Sequence, residues 1–181
     1  MKHMQTDKYT IAWFKIAECV SRGEKERALG VYRLLSHSFN DNAVARQLEA
    51  DIYLSCNEPD RAILLYRQAM ELYEKSQRYL EAAAVCEHLI FLLPDDFLLN
   101  NKVLHYYIAV GISSKIIHFF QLIIESYLRY NQPDLIIECI EKTMNSLLVE
   151  GREKSLQEFL IFLPVFDQDL YEYACDYIKK S

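Results

Sequence analysis

The side chains best suited to acid–base chemistry are two histidines on separate stretches of the chain. Glu87 directly precedes His88, and His105 follows in a later stretch. A histidine beside a carboxylate can serve general acid–base catalysis, but it needs a nucleophile or substrate within hydrogen-bond reach. Neither histidine stands in a recognisable nucleophile motif, and GxSxG, HExxH and glycine-rich phosphate loops are absent. We therefore predict a protein that is not an enzyme, with these histidines on a surface or in a groove.

The cysteines and histidines do not have the spacing of a metal site. The five cysteines are an odd number, widely spaced and without a CxxC pair, and the histidines add no zinc-ligand spacing. A cysteine on an apolar helix face packs as a small hydrophobic group. We predict reduced cysteines, no metal and no cofactor, as is typical of a cytoplasmic protein. The residues concerned are Cys19, Cys56, Cys86, Cys139 and Cys175, and His3, His37, His88, His105 and His118.

The charge and hydropathy of the chain exclude two classes of partner. The 181 residues carry a formal net charge of −6, whereas binding to nucleic-acid phosphates requires a basic patch. The longest nearly apolar run, residues 116–124, is far shorter than the roughly 20 residues that a membrane-spanning helix needs. The N-terminal residues have no apolar segment of the kind found in signal peptides. We expect a soluble cytoplasmic protein that neither binds nucleic acid nor spans a membrane.

Helices must position these side chains, because apolar residues recur at three- and four-residue steps along the chain. In the stretch 61–96, Ala62, Tyr66, Ala69 and Tyr73 form one such stripe. An alanine opposite a tyrosine lets two helix axes approach closely, so we expect Ala62 and Ala82 to be buried. Short breaks, mostly at glycine, asparagine and proline, separate ten predicted helices. These span residues 8–21, 24–38, 43–56, 60–75, 78–92, 97–110, 114–129, 133–148, 152–163 and 167–180.

The sequence repeats itself at two related spacings. A shift of 34 residues lays Ala28 on Ala62 and Tyr32 on Tyr66. Ala62 and Ala82 differ by 20 residues instead, and the combined shift of 54 lays Tyr53 on Tyr107. A fixed period with short connections predicts antiparallel helices that stack and share one continuous core.

The repeated residues resemble the tetratricopeptide repeat (TPR). The resemblance rests on a glycine-like turn residue, an alanine, an aromatic or small residue and a further apolar residue, followed in one unit by Pro94. It is clearest over residues 9–130, and residues 131–181 are divergent. The resemblance implies an all-α fold, a right-handed superhelix of about ten antiparallel helices, in one domain spanning 1–181. The matching sets are Gly23, Ala28, Tyr32 and Leu35; Asn57, Ala62, Tyr66 and Ala69; and Gln77, Ala82, Cys86 and Leu89.

The resemblance also implies a concave groove that binds a protein partner. In this family the first helix of each hairpin lines the groove, although the 20-residue step leaves open which helices do so here. The alternative is that these positions are merely solvated helix faces. The family's clamp for a terminal carboxylate is not reproduced by this mixed set of side chains. The implied groove residues are Gln47 and Asp51, Asn101 and His105 at the 54-residue shift, and Arg67 and Glu71.

The C-terminal part is more apolar than a half-exposed helix requires, above all between Phe159 and Phe166. This stretch is explained either by burial against neighbouring helices or by a patch of Phe159, Phe162 and Phe166 that contacts a partner or forms a homodimer.

The leading hypothesis for the function is a non-enzymatic scaffold or adaptor that holds a peptide or helix of a partner protein. The alternatives are a bacterial secretion chaperone of the TPR type and a self-associating structural module.

Overall fold

The fold is all-α, as predicted from the apolar periodicity. The structure is a computed structural model that describes residues 3–36, 40–132 and 134–180, with side chains described from Ile11 to Lys179; His37 and Pro133 lie outside these residues. The described residues form ten helices and no strand, and no helix among them is long and apolar enough to cross a membrane. The helices are α1 (His3–Ser21), α2 (Lys25–Ser36), α3 (Asn42–Ser55), α4 (Pro59–Lys75), α5 (Tyr79–Leu92), α6 (Phe97–Val110), α7 (Ser113–Arg129), α8 (Asp134–Val149), α9 (Glu153–Phe166) and α10 (Gln168–Lys180).

One type of turn ends six of these helices. After α1, for example, Gly23 has a φ of 72°, and the next amide, that of Glu24, donates to the carbonyl of Cys19 at 2.8 Å. A left-handed residue with this hydrogen bond to a carbonyl five residues earlier is the Schellman motif, which satisfies the free carbonyls at a helix end. The same arrangement recurs at Asn57, Gln77, Gly111, Asn131 and Gly151.

The positions of these turns explain the two sequence periods. Gly23 and Asn57 are 34 residues apart and enclose two helices, α2 and α3, whereas Asn57 and Gln77 are 20 residues apart and enclose α4 alone. The same pair of steps leads from Gln77 to Gly111 and on to Asn131. The 54-residue shift therefore relates groups of three helices.

Pro164 does not end a helix, contrary to the prediction of a break there. It lies inside α9, which continues to Phe166. A proline has no amide hydrogen, so the bond to the carbonyl of Leu160 is not made, and only two residues of α9 follow Pro164. The break falls at Asp167, whose Oδ1 accepts hydrogen bonds from the amides of Asp169 and Leu170 at 2.9 and 3.0 Å and so starts α10.

The chain divides into two compact units, residues 1–92 and 93–181. Unit 1 contains α1 to α5, and each helix packs on the next in the chain. The small and aromatic residues of the repeat are buried as predicted, since Ala62 and Ala82 are fully buried and Tyr66 and Tyr73 are 2% and 3% exposed. The helical-repeat packing of consecutive helices is thereby supported, while the hand of a superhelix and the single domain stay predictions.

Unit 2 contains α6 to α10, with α7 in contact with α6, α8 and α9. Its core includes Phe159, which is fully buried and meets Phe120 edge to face with ring centroids 4.7 Å apart. Of the two explanations given for this stretch, burial against neighbouring helices therefore applies to Phe159. The apolar periodicity of α9 places this ring on the inner face of the helix, where α7 covers it.

Candidate functional site

One groove lies in unit 2, between α6 and α8. It has a volume of about 480 Å³, and we call it the unit 2 groove. Asn101 and His105, both predicted to line a groove, lie on its α6 side and are one helical turn apart. The lining is Leu98, Asn101, Leu104, His105 and Ile108 of α6, Tyr127 of α7, and Leu135, Glu138, Cys139, Lys142, Thr143 and Ser146 of α8.

The unit 2 groove has an apolar floor and a polar rim. Leu104, Ile108 and Cys139 are buried at the bottom, whereas Asn101 and His105 are exposed at the edge. Leu98 is 79% exposed although it is a large apolar side chain beside the groove. Exposed apolar area next to hydrogen-bonding side chains is characteristic of a surface that binds another molecule.

The charged groups of the unit 2 groove are paired, and its thiol is not reactive. Lys142 Nζ lies 2.5 Å from Oε1 of Glu138 one turn away on α8, and the hydrogen bond and charge of that carboxylate raise the pKa of Lys142. Burial raises the pKa of Cys139 to about 11, against smaller opposing effects from Thr143 and Lys142. A thiol with this pKa is protonated at neutral pH and is a poor nucleophile. The groove therefore offers contacts for binding rather than an activated nucleophile.

A smaller groove lies in unit 1, between α1 and α3. Its volume is about 290 Å³, and we call it the unit 1 groove. Asp51 belongs to its lining, so the structure places this predicted residue in a groove as well. Asp51 and His105 are related by the 54-residue shift, and each lines the groove of its own unit. The other lining residues are Trp13, Ile16, Ala17, Val20, Ser21, Leu48, Ile52 and Ser55.

Asp51 is fixed by a tyrosine of the neighbouring helix. The hydroxyl of Tyr66 on α4 donates to Oδ1 of Asp51 at 2.5 Å, and the Tyr66 ring meets the His88 ring of α5 edge to face at 4.8 Å. Loss of water around the carboxylate raises the pKa of Asp51, although the Tyr66 hydrogen bond and the charge of His88 act in the opposite direction. Burial and the neighbouring carboxylate raise the pKa of Tyr66.

Three predicted groove residues line neither groove. Gln47 accepts a 2.9 Å hydrogen bond from the hydroxyl of Tyr73, so it links α3 to α4. Arg67 and Glu71 lie on α4, half-buried and exposed respectively. In α6 the residue equivalent to Gln47 is Asn101, which does line a groove; the unit 2 groove lies between α6 and α8, whereas the unit 1 groove lies between α3 and α1.

A row of buried tyrosines holds the polar side chains of α3. Besides Tyr66 and Tyr73 of α4, Tyr32 of α2 donates from its hydroxyl to the carbonyl of Ala45 at 3.1 Å and to Glu49 at 3.2 Å. Burial, together with the charge and hydrogen bond of Glu49, raises the pKa of Tyr32 to about 12. These tyrosines are packing residues with one anchored polar end, as is usual for buried tyrosines.

Two of the three phenylalanines of the predicted patch remain accessible. Phe162 and Phe166 are half-buried and stack on each other with centroids 5.8 Å apart. On the same helix Ile161 and Val165 are 72% and 84% exposed. A role of this surface in self-association stays a prediction.

The α8 wall of the unit 2 groove was not predicted from the sequence. Leu135, Cys139, Lys142 and Ser146 lie on one helical face at three- and four-residue steps, and this periodicity is visible in the sequence. The repeat pattern fades after residue 130, so the family positions could not be carried onto α8. Pairing α8 with α6 requires the tertiary arrangement of the helices.

Within the described residues no group of three or more histidine, cysteine or carboxylate side chains could hold a metal ion. His88 and His105 lie on different helices, as expected. No model of a known protein family matches the chain, and no curated protein matches it significantly. The site is therefore interpreted from its own geometry.

Proposed function

We propose that the protein is a TPR-like scaffold or adaptor that binds a segment of a partner protein in the unit 2 groove without catalysing a reaction. The observation that carries this proposal is the groove itself, with an apolar floor and the predicted pair Asn101 and His105 at its rim. Apolar floor residues favour burial of a partner's side chains, and the rim supplies hydrogen bonds that fix register and direction.

The length of the groove suits a peptide. Leu98 and Ile108 mark its ends on α6, and ten residues of helix span about 15 Å. That distance accommodates about four or five residues of an extended chain at roughly 3.3 Å each, or about ten residues of a helix. The repeated packing of consecutive helices favours the same function, because stacked helices present a continuous surface to an elongated ligand.

Site-specific photo-crosslinking tests this proposal. A photoreactive amino acid placed at His105 is expected to capture one discrete partner in cells, whereas the same group at His118 is expected to capture none. His118 is exposed on α7 and is not part of the groove lining, which makes it a matched control. Recovery of the same proteins from both positions would contradict the proposal.

The captured partner must then bind the purified chain through the groove. Replacing Asn101 and His105 together by alanine is expected to weaken its binding by about tenfold, the usual order for loss of important interface side chains. His118→Ala is expected to leave the affinity unchanged. Equal affinities for the double variant and the unmodified chain would rule out the unit 2 groove as the binding site.

The exposed side of α9 favours self-association as a second candidate function. Ile161 and Val165 are exposed next to the Phe162–Phe166 stack, and such an apolar strip is buried when two copies associate. If the chain forms a dimer through this strip, light scattering will give twice the monomer mass, and Phe162→Glu will return the monomer. A monomeric mass for the unmodified chain excludes this candidate.

A further inference from the structure

The unit 1 groove combines an apolar lining with one charged side chain. Ile16, Leu48 and Ile52 form its floor and are each less than 5% exposed, and Trp13 is 43% exposed at its side. Asp51 is the one ionisable residue among the described residues that line it. A lone carboxylate beside apolar side chains interacts more strongly with an opposite charge than it would in open water.

The carboxylate of Asp51 is held in place without being neutralised. Its Oδ1 accepts the 2.5 Å hydrogen bond from Tyr66, which is a neutral donor. Within the part of the chain that the structure describes, no lysine or arginine forms an ion pair with Asp51, and His88 acts on it through its charge without forming an ion pair. The charge is therefore available to a cation from outside, and the fixed position of the carboxylate lowers the entropy that such a pair would lose on forming.

We propose that the unit 1 groove binds an apolar segment of a partner protein that carries one lysine or arginine, whose cation pairs with Asp51. The apolar side chains of that segment contact Trp13 and the floor of the groove. A volume of about 290 Å³ lies at the lower limit of the roughly 300–1,000 Å³ typical of small-molecule sites, which suits a few side chains of a segment. The site is separate from the unit 2 groove and does not depend on the function proposed for it.

The intact chain reports on this groove, because Trp13 is its single tryptophan. Panning a random-peptide phage library on the chain is expected to enrich peptides with a lysine or arginine between apolar residues. Synthesised forms of these peptides will shift the Trp13 emission to shorter wavelength as they cover the indole ring. Replacing the peptide's basic residue by norleucine, which keeps the aliphatic chain and removes the charge, will weaken binding by about tenfold or more.

The substitution Asp51→Asn removes the negative charge while keeping the fold. Asparagine retains an oxygen that accepts the Tyr66 hydrogen bond, so the helix packing is preserved, and circular dichroism verifies this. The variant is expected to bind the cationic peptide about tenfold more weakly and the norleucine peptide with unchanged affinity. Asp60→Asn is the matched control, because Asp60 is exposed in the first turn of α4 and lies outside the lining; it should bind like the unmodified chain.

Several results would overturn the proposal. Enriched peptides without a basic residue, no change in Trp13 emission on binding, or full affinity of Asp51→Asn would each do so. A shift of Trp13 emission with protein concentration alone would show that a second copy covers the groove instead. Peptides whose binding is lost in His105→Ala but kept in Asp51→Asn would overturn this proposal while supporting the function proposed for the unit 2 groove.

Discussion

The hydroxyl of Tyr66 donates a 2.5 Å hydrogen bond to Oδ1 of Asp51, and this bond joins α4 to α3. Tyr73 forms a second link between these helices through Gln47, and Tyr32 approaches α3 from α2. The three tyrosines are buried, while their hydroxyls reach polar groups of α3. Among these contacts, the Tyr66 hydrogen bond connects core packing to a side chain that lines the unit 1 groove, Asp51.

Replacing Tyr66 by phenylalanine should destabilise the protein by about 1 kcal/mol, because the ring is kept and one hydrogen bond to a carboxylate is lost. Since that hydrogen bond lowers the pKa of Asp51, the same change should raise this pKa further. Urea denaturation measures the first effect, and NMR titration of the Asp51 carboxyl carbon measures the second. Tyr130→Phe, at a ring that is 55% exposed, is the control; equal effects of the two substitutions would show that the Asp51 bond contributes nothing.

The raised pKa of Tyr32 predicts that the protein loses stability in alkali. Its pKa is raised to about 12 in the folded protein, against about 10 in an unfolded chain, so the unfolded state releases the proton first. The stabilisation is complete below pH 10 and is lost as the pH rises from about 10 to about 12. Tyr32→Phe should therefore show a shallower decline of unfolding free energy over this range. A decline as steep as that of the unmodified chain would contradict the prediction.

Asp41 joins the start of α3 to the start of α5. Its Oδ1 accepts from the amides of Ala43 and Val44 at 3.0 and 3.2 Å, and its Oδ2 pairs with Arg78. Asp41→Ala should destabilise the protein by about 1 kcal/mol, the usual cost of losing such a cap. Asp41→Asn keeps the cap and loses only the ion pair. Its free energy of unfolding, measured by urea denaturation, should therefore lie between those of the unmodified chain and Asp41→Ala. A loss as large in Asp41→Asn as in Asp41→Ala would show that the cap contributes nothing.

The same carboxylate predicts a pH dependence in acid. Partial burial raises the pKa of Asp41, but the hydrogen bonds and charge of Arg78 and the two amides outweigh it and lower the pKa below 3.8. Because the folded pKa is the lower one, the stabilisation is present above the ordinary pKa and is lost as the pH falls through the folded value. The difference in stability between the unmodified chain and Asp41→Asn should therefore shrink in acid. A constant difference would contradict this assignment.

The helices could be predicted from the sequence because their signals are local. The stripe through Ala62 and Tyr66 fixes which face of α4 is buried, and glycine or asparagine after a helix provides the left-handed turn that ends it. Pro164 misled the prediction because α9 continues for two residues beyond it, and the capping carboxylate of Asp167 decides where α10 starts. The local sequence does not show whether Pro164 or the capping Asp167 sets the break between α9 and α10.

The grooves could be predicted only in part. The shift of 54 residues relates Asp51 to His105, and both line grooves; the helices that carry them, α3 and α6, end at equivalent turns, Asn57 and Gly111. The same shift relates Gln47 to Asn101, yet Gln47 is held by Tyr73 and lines neither groove. The unit 1 groove lies between α3 and α1, whereas the unit 2 groove lies between α6 and α8, so the outcome depends on packing with helices that are distant in sequence. The α8 wall was missed for the same reason.

Ala82 tests the close helix packing on which the repeat depends. It is fully buried on α5, the helix that packs against α4, so a leucine at this position would force the helices apart or into strained rotamers. Ala82→Leu should destabilise the protein by about 1–3 kcal/mol, the range observed for overpacked cores. Ala84→Leu is the matched control, since Ala84 is exposed on the same helix and its substitution should be nearly neutral. Urea denaturation of both variants decides the matter, because equal stabilities would mean that α5 presents a different face to its neighbours.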